Sequence, residues 1–521
     1  MSATTEGNKN VAIGLSSLSA NTTGNYNMAS GAYAMQSNTT GDYNTASGSE
    51  SLKANTTADN NSAVGYRALF SNTTGTSNTS MGKSSLEDNT TGSNNTGMGY
   101  YALSDNTTGV GNSGFGTYAL YSNTTGNANT AVGGYDSYTN APLNSNTTGG
   151  YNVAVGTGAL QANVDDDNST AVGYKALTVN IASDNTAIGY KALTANTTGL
   201  TVTAIGFEAL MTQTTAGSNT AVGYQASKMM TGGDNTAMGD RALTASTTGA
   251  NNAVLGSQAM KTNTSGGSNT AVGMSALQYN TTGSENTAIG KDAIRASTTG
   301  SWNVAVGADA MTATTTGANN TAIGYWAMLA NSTGANNTAI GEEAGVAITT
   351  GDNNICLGFQ SGKSGSPGGE QTTGDNKIFL GDENITEANI QVDWTVASDK
   401  RDKTDVEEMT MGLDFVNKLE PVTYRWDKRS KYSDDQSVAP DGTHKEEQLD
   451  IGFLAQDVEK LEEEYGYKAD DKTNLTTTLS DDEKMYGLKY SKFVPILVNA
   501  VQELSTQVDT LTAELSALKG E

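Results

Sequence analysis

One repeat unit decides the fold of this chain: Asn185-Thr186-Ala187-Ile188-Gly189-Tyr190-Lys191-Ala192-Leu193-Thr194-Ala195-Asn196-Thr197-Thr198-Gly199. Close copies of this unit, each completed by two variable residues, follow one another from Asn10 onward. The asparagine that opens each Thr-Thr-Gly turn recurs every 17 residues, at Asn21, Asn38, Asn55, Asn72, Asn89, Asn106 and Asn123. A fixed period of this kind is typical of a solenoid. Seventeen residues are too few for a helix pair, so we expect narrow coils of short strands and tight turns.

Each position in the unit has a physical role. Ala-Val or Ala-Ile predicts a short strand with one small and one large apolar residue on opposite faces. The following glycine, such as Gly14 or Gly358, fits a sharp bend or a close backbone approach. Asn-Thr-Thr-Gly predicts a turn, and stacked asparagines can form amide ladders. The Tyr-x-Ala-Leu stretch is compatible with a strand or a single helical turn, and the pattern does not decide between them.

Two segments break the period. Six extra residues lie between Gly133 and Asn146, and two tyrosines there, Tyr135 and Tyr138, could stack on sugars, which makes them the predicted receptor-binding residues. A tolerated loop without a role is the alternative. The second break runs from Ser361 to Thr373 and predicts an irregular collar before a last coil at Asn376–Gly381.

Composition excludes several classes of protein. With 521 residues and a formal net charge of -26, the chain would repel a nucleic-acid backbone. No run approaches the roughly 18 apolar residues of a membrane span, so no membrane insertion is expected. The first residues do not resemble a secretion signal, which predicts synthesis in a cytoplasm. The single cysteine, Cys356, occupies a position that is mostly alanine in other repeats, and a small buried residue is expected there.

No cofactor or metal site is expected. His444 is the only histidine, which excludes multi-histidine metal sites and leaves one weak candidate for a Ser-His-Asp triad. Three consecutive acids, Asp165, Asp166 and Asp167, could hold a cation, but such a run is usually only solvated. The sparse acidic residues of the repeats form no convincing carboxylate pair for glycosidase chemistry.

The repeats end before residue 398, where the composition becomes ordinary. Ser398 is followed five residues later by Lys403, a spacing that permits a Ser–Lys nucleophile pair. A lysine can serve as general base for serine when burial or a neighbouring cation lowers its pKa. Further on, the pattern predicts a short helix over Met411–Leu419, strands at Val422–Trp426 and Ile451–Leu454, and a helix near Val458.

Four motifs come in one order: Ser398-Asp-Lys-Arg-Asp-Lys-Thr-Asp405, Gly412-Leu-Asp-Phe-Val-Asn-Lys-Leu-Glu-Pro-Val422, Ile451-Gly-Phe-Leu-Ala-Gln-Asp-Val458 and Tyr490-Ser-Lys-Phe-Val-Pro-Ile-Leu497. This set resembles the C-terminal intramolecular chaperone domain of endosialidase-type phage tail spikes and tail fibres, over roughly residues 390–518. The resemblance implies a domain that trimerises, templates folding of the upstream fibre and then cuts itself off. It implies cleavage of the Ala397–Ser398 bond, with Ser398 as nucleophile and Lys403 as general base, once per chain and without an external substrate.

The last segment carries apolar residues that alternate four and three apart. This heptad seam predicts a parallel coiled coil, for which three strands are plausible, although a lone amphipathic helix would show a similar pattern. The predicted core positions are Leu497, Val501, Leu504, Val508, Leu511, Leu515 and Leu518.

These expectations combine into one fold: a mainly β, homotrimeric solenoid rod followed by a small α+β chaperone domain. We expect a repeat body over residues 1–358, a collar and last coil over 359–397, the chaperone and autoprotease over 398–493, and a coiled-coil helix over 494–519. Regular glycine-rich strands specify their register weakly, so a C-terminal domain that trimerises first would align the three chains.

The repeat core Asn-Thr-Ala-Ile-Gly also resembles the head repeats of trimeric autotransporter adhesins, although those repeats are shorter. The leading hypothesis is a phage tail fibre in the virion tail, which contacts other tail proteins and a glycan or protein receptor on the host surface. A bacterial trimeric surface adhesin and a tail-spike glycan depolymerase are the alternatives.

Overall fold

The structure is a computed structural model that describes residues 6–134, 140–391, 394–433, 436–468, 473–480 and 483–520. Its contacts divide the chain into two compact units, Met1–Ala305 and Val306–Glu521. The first unit consists of solenoid coils. The second unit contains further coils, and a small α+β segment follows them. This confirms the predicted mainly β solenoid with coils of about 17 residues.

The strands of the first unit are three residues long, and neighbours in the chain pair in parallel. They are β1 (Val11–Ile13), β2 (Met28–Ser30), β3 (Thr45–Ser47), β4 (Ser62–Val64), β5 (Thr79–Met81), β6 (Thr96–Met98), β7 (Ser113–Phe115), β8 (Thr130–Val132), β9 (Val153–Val155), β10 (Thr170–Val172), β11 (Thr186–Ile188), β12 (Thr203–Ile205), β13 (Thr220–Val222), β14 (Thr236–Met238), β15 (Ala253–Leu255), β16 (Thr270–Val272) and β17 (Thr287–Ile289). Register is maintained, as in Thr186↔Thr203, Ala187↔Ala204 and Ile188↔Ile205. Strand β18 (Val304–Val306) spans the boundary between the units.

Most strands start 17 residues after the preceding one, and the exceptions are local. The six-residue insertion described above lies between the end of β8 at Val132 and the start of β9 at Val153. Two coils are one residue shorter, which the sequence analysis missed. In both, the deletion lies in the turn: Asn180-Ile181-Ala182 and Met230-Thr231-Gly232 replace Asn-Thr-Thr-Gly. The strands on either side keep their pairing, so the turn absorbs the change.

The interior of each coil is filled by small residues and one larger apolar residue. The middle strand residue and the Ala-Leu pair are fully buried, as for Ala187, Ala192 and Leu193. The large residue at the third strand position faces outward, as for Ile188. Cys356 takes a middle strand position, is fully buried as expected, and burial raises the pKa of its thiol to about 12.

Buried asparagines form the predicted ladder. The Asn38 amide donates to Asn21 Oδ1 at 2.9 Å and to the Gly41 carbonyl at 3.1 Å, and the same pattern recurs from coil to coil. A second buried row precedes the strands: the backbone N–H of Asn61 donates to Asn44 Oδ1, and the Asn61 amide donates to the Gly75 carbonyl, both at 2.9 Å. Most coils thus satisfy polar groups of a neighbour, and the solenoid interior contains two rows of hydrogen bonds, which are interrupted where another residue replaces asparagine, as at Ser297 beside Asn280 Oδ1.

The Tyr-x-Ala-Leu stretch forms neither a strand nor a helical turn. Its second and fourth residues adopt left-handed backbone conformations, with φ of 52° at both Lys191 and Leu193. Bulky side chains rarely adopt this region. Backbone hydrogen bonds to neighbouring coils stabilise it here, because the N–H of Lys191 donates to Tyr174 and that of Leu193 donates to Ala209.

The glycine after each strand is required for both expected reasons. Gly189 has a φ of 138°, and a Cβ there would lie 2.6 Å from the carbonyl carbon of Gly206 in the next coil. Any side chain at this position would push two coils apart. The period of glycines thus reflects the close stacking of backbones.

The second unit begins with the last coils and ends in the α+β segment. Its parallel strands are β19 (Thr321–Ile323), β20 (Thr338–Ile340), β21 (Ile355–Leu357) and β22 (Ile378–Leu380). Antiparallel pairs are formed by β23 (Val422–Tyr424) with β24 (Asp450–Gly452) and by β25 (Thr477–Leu479) with β26 (Tyr486–Leu488). The helices are α1 (Leu413–Lys418), α2 (Ala455–Glu464) and α3 (Phe493–Lys519), and 3-10 turns occur at Lys400–Asp402, Arg429–Lys431 and Tyr490–Lys492. None of the helices in the described ranges could span a bilayer.

Candidate functional site

A single 3-10 turn brings the two predicted dyad residues together. The Asp399 carboxylate caps this turn by accepting a hydrogen bond from the Arg401 backbone N–H at 2.9 Å. The Arg401 guanidinium also pairs with Asp399, at 2.6 Å, and these bonds hold the pKa of that carboxyl below its usual value. The turn returns the chain toward its start, where Lys403 Nζ donates to Ser398 Oγ at 2.6 Å. The predicted nucleophile and the predicted base are therefore within hydrogen-bond distance of each other.

The dyad lies in an exposed stretch of chain. The residues from Asn384 to Gln391 and from Trp394 to Glu408 are exposed. Large apolar side chains flank the dyad in this stretch: Trp394, Val396 and Val406 are 73–77% exposed. Apolar surface of this extent next to a reactive pair indicates a surface that another chain can cover.

The other three motifs converge on one hydrophobic core. Helix α1 supplies Phe415, α2 supplies Val458 and Leu461, and the start of α3 supplies Phe493 and Ile496. Met411, which directly precedes Gly412 at the start of α1, completes the cluster. These three motifs therefore supply core residues to elements that pack together. They do not form a set of reactive groups.

Polar contacts fix α1 against α3. The Glu503 carboxylate accepts a hydrogen bond from the Leu413 backbone N–H at 2.7 Å, and the Asn499 amide donates to the Met411 carbonyl at 3.0 Å. Gly412 leaves room for this approach, because a Cβ at that position would collide with Glu503. The motif glycine is explained by this close contact.

Glu462 is a structural residue that the sequence analysis missed. Its fully buried carboxylate accepts hydrogen bonds from the backbone N–H of Thr476 at 2.6 Å, from the Thr476 hydroxyl at 2.8 Å and from the Thr477 hydroxyl at 2.6 Å. The backbone N–H of Leu475 adds a fourth bond, at 3.2 Å. These bonds tie the β25–β26 hairpin to α2. The only sequence signal was a glutamate on the apolar face of a helix.

The predicted coiled-coil seam lies on the surface of a single chain. The start of α3 packs into the core through Phe493, Ile496 and Ala500, but the described helix residues after Ala500 are exposed. The seam residues are 47–85% exposed: Leu497, Val501, Leu504, Val508, Leu511, Leu515 and Leu518.

The structure gives less support to the remaining predicted sites. Tyr135 and Tyr138 lie outside the described residues. His444 is exposed, and its ring packs edge-on against Tyr432 with 4.8 Å between centroids. Within the described ranges, no three histidine, cysteine, aspartate or glutamate side chains gather as a metal site, the Asp165–Asp167 run included.

Comparison with known proteins identifies the C-terminal segment. Residues 398–467 match the family model described as the chaperone of endosialidase, and the match begins at Ser398. No curated protein matches the chain. Nor does any solved structure. The protein is thus a β-solenoid followed by a segment that matches the chaperone of endosialidase family, an architecture consistent with a tail fibre or tail spike that carries a chaperone domain.

Proposed function

We propose that this protein is a homotrimeric phage tail fibre that binds a host receptor, and that its C-terminal chaperone segment drives trimerisation and folding before it cuts the chain in front of Ser398. The observation that supports the proposal is that two findings coincide at one residue, Ser398. The family match begins at Ser398, and Lys403 Nζ lies 2.6 Å from its hydroxyl oxygen.

The position of Ser398 after the scissile bond sets the chemistry of the cut. Lys403, in its neutral form, removes the hydroxyl proton, and Ser398 Oγ attacks the Ala397 carbonyl carbon. The C–N bond breaks as the proton passes to the Ser398 nitrogen, which leaves an ester between Ala397 and the serine oxygen. Water then hydrolyses this ester. The products are a body that ends in the Ala397 carboxylate and a fragment that begins with the Ser398 amine.

Assembly supplies what a single chain lacks for this reaction. A lysine acts as general base only when it is desolvated or lies beside another cation. Packing of a second copy over the apolar flanks Trp394, Val396 and Val406 would exclude water from the dyad. Cleavage would then follow assembly, and the broken peptide bond would make assembly kinetically irreversible.

Two exposed apolar surfaces support a trimer. One is the seam of α3. The other is a stripe formed by the third strand residue of successive coils, which includes Val64, Met81, Ile188, Met238 and Leu255 in the first unit. A parallel trimer in register would bury both surfaces, and the coiled coil would align the coils.

In this proposal the fibre is made in the host cytoplasm, joins other tail proteins in the virion and presents the solenoid surface to a glycan or protein on the host envelope. The first experiment is a denaturing gel with intact-mass measurement of the purified protein. A body fragment that ends at Ala397 and a smaller C-terminal fragment support the proposal. A stable trimer whose chains all remain intact would contradict the cleavage, and the segment would then be a retained trimerisation domain.

A further inference from the structure

Two lysines that follow the proposed cleavage point contact the end of the solenoid that precedes it. Lys428 Nζ donates to the Glu383 backbone carbonyl, and Lys431 Nζ donates to Asn384 Oδ1. Lys431 also lies 3.9 Å from the Glu383 carboxylate. All of these residues belong to the same compact unit.

The same segment reaches the collar at a second place. Gln436 Nε2 donates to Ser364 Oγ at 3.4 Å. Ser430 packs so closely on Gly365 that a Cβ at Gly365 would lie 2.7 Å from the Ser430 Cβ. The collar of residues 361–373, where the 17-residue period breaks, therefore forms part of the surface that the segment contacts.

A groove of about 540 Å³ with a mixed polar and apolar lining runs between strand β22 and the β25–β26 hairpin. Ile378 and Phe379 of strand β22 line one side, and Leu479 and Tyr486 of the β25–β26 hairpin line the other. Strand β22 is the last of the solenoid, and its outward residues Ile378 and Leu380 are 66% and 53% exposed. The hairpin therefore lies beside β22 without burying these outward side chains, and the polar contacts are the ones that join the two parts.

These contacts do not depend on the linker that joins the two parts. The described residues between Asn384 and Glu408 are exposed, so a cut there removes no packed element. We propose that the segment that carries Lys428, Lys431 and Gln436 forms a non-covalent cap on the last coil of the solenoid, and that the C-terminal fragment stays bound to this coil after the chain is cut. The occupant of the coil end is thus the chain's own C-terminal segment. This inference rests on the proposed function, because the proposed self-cleavage is the event that separates the two parts of the chain.

The chemistry of the contacts predicts how the cap is lost. The Lys431 side chain is partly exposed, so salt screens its ion pair with Glu383, while the hydrogen bonds of Lys428 and Lys431 to neutral oxygens respond less to salt. Before the cut, the linker keeps both surfaces at a high effective concentration. After the cut, retention depends on the contacts alone, and both salt and dilution weaken it.

The test cuts the linker without using the dyad. The recognition sequence of a site-specific protease is introduced within Ile385–Ile390 of a Ser398→Ala chain. The purified full-length protein is cut with this protease. The products are then separated by size-exclusion chromatography at low salt and at molar salt. The two fragments are expected to elute together at low salt and to separate at high salt. Added Lys428→Glu and Lys431→Glu substitutions should separate the fragments already at low salt. A matched pair, Lys460→Glu and Lys468→Glu, lies elsewhere on the segment and should leave co-elution unchanged.

Separation of the unsubstituted fragments at low salt, at a concentration near that of the intact protein, would overturn the cap. So would co-elution that the Lys428→Glu, Lys431→Glu pair leaves unaffected, because an intertwined trimer could produce it without these contacts. Hydrogen exchange on the uncut double variant shows whether the segment remains folded. Failure of self-cleavage in the wild-type protein would leave this result unchanged, so the two proposals fail separately.

Discussion

Lys403 Nζ donates a hydrogen bond to Ser398 Oγ across 2.6 Å, although five positions separate the two residues in the chain. The cause is local: the capped 3-10 turn of Lys400–Asp402 reverses the backbone between them. The pair is therefore formed within a single chain, and in the proposed mechanism assembly changes its surroundings rather than its geometry.

Substitution of either dyad residue should abolish the cut. Ser398→Ala removes the nucleophile and Lys403→Ala removes the base, so both chains should run at full length on a denaturing gel. Lys400→Ala, on the same turn, should be cut like the wild type. Arg401→Ala weakens the capped turn and should slow cleavage on the order of 10- to 100-fold, because the base is then less well placed. Normal cleavage of Lys403→Ala would exclude it as the base.

The asparagine ladder predicts that one substitution destabilises the solenoid and that another stabilises it. Asn55→Ala removes the amide that donates to Asn38 Oδ1 at 2.7 Å and the acceptor for Asn72 at 3.1 Å. The buried groups left without partners should cost roughly 1–3 kcal/mol each, measured as faster hydrogen exchange in the coils on both sides. Ser297→Asn is the matched gain: Asn280 Oδ1 is buried without a hydrogen bond, and the new amide should slow exchange there. Destabilisation by Ser297→Asn would mean that this rung lacks space for the larger side chain.

The α3 seam should control assembly without affecting the fold of one chain. Leu504→Asp and Val508→Asp place charges on residues that are 47% and 52% exposed, so the helix core is unaffected. Light scattering should show loss of the trimer, because a seam position tolerates a charge poorly. Gln507→Asp, between them, should remain assembled. A trimer that persists in both seam variants would assign trimerisation to the solenoid.

Glu462 should be required for the C-terminal segment. Glu462→Ala leaves the buried N–H of Thr476 and two threonine hydroxyls without their acceptor, at a cost of roughly 1–3 kcal/mol for each group. We expect faster hydrogen exchange across the β25–β26 hairpin and α2, and slower self-cleavage as a consequence. Gln456→Ala, at an exposed position of α2, is the control. An unchanged hairpin in Glu462→Ala would show that the network contributes little.

Asp105 should make the first unit less stable as pH rises. Burial, followed by repulsion from Asp88, raises the pKa of the Asp105 carboxyl from 3.8 to about 6. The folded chain therefore holds the proton more tightly than the unfolded chain, and this stabilisation is present below about pH 4 and is lost as pH rises to about 6. Asp105→Asn should flatten the pH dependence of hydrogen exchange near this coil and slow exchange at neutral pH. The same change at exposed Asp240 should have no such effect, and a pH profile that Asp105→Asn leaves unaltered would contradict the prediction.

The solenoid could be predicted because its contacts repeat. Every coil meets the same neighbours about 17 residues away, so the spacing of Asn, Ala and Gly alone determined coil length, strand position and the amide ladder. The single-residue deletions at Asn180–Ala182 and Met230–Gly232 were missed because they leave the strand pattern intact. The left-handed conformations at Lys191 and Leu193 could not be predicted either, because hydrogen bonds between coils override the local preference of those residues.

By itself, the sequence determined the repeat body, the order of the C-terminal motifs, the apolar seam of α3 and the spacing of Ser398 and Lys403. Only the tertiary structure decided which strand face is buried, that Glu462 anchors a hairpin, and that Lys428 and Lys431 meet the last coil. The physical reason is the range of the contacts. Periodic contacts repeat at a fixed separation and leave a pattern in the chain. A lysine that meets a carbonyl 45 residues away leaves none, because its position depends on how separate elements pack.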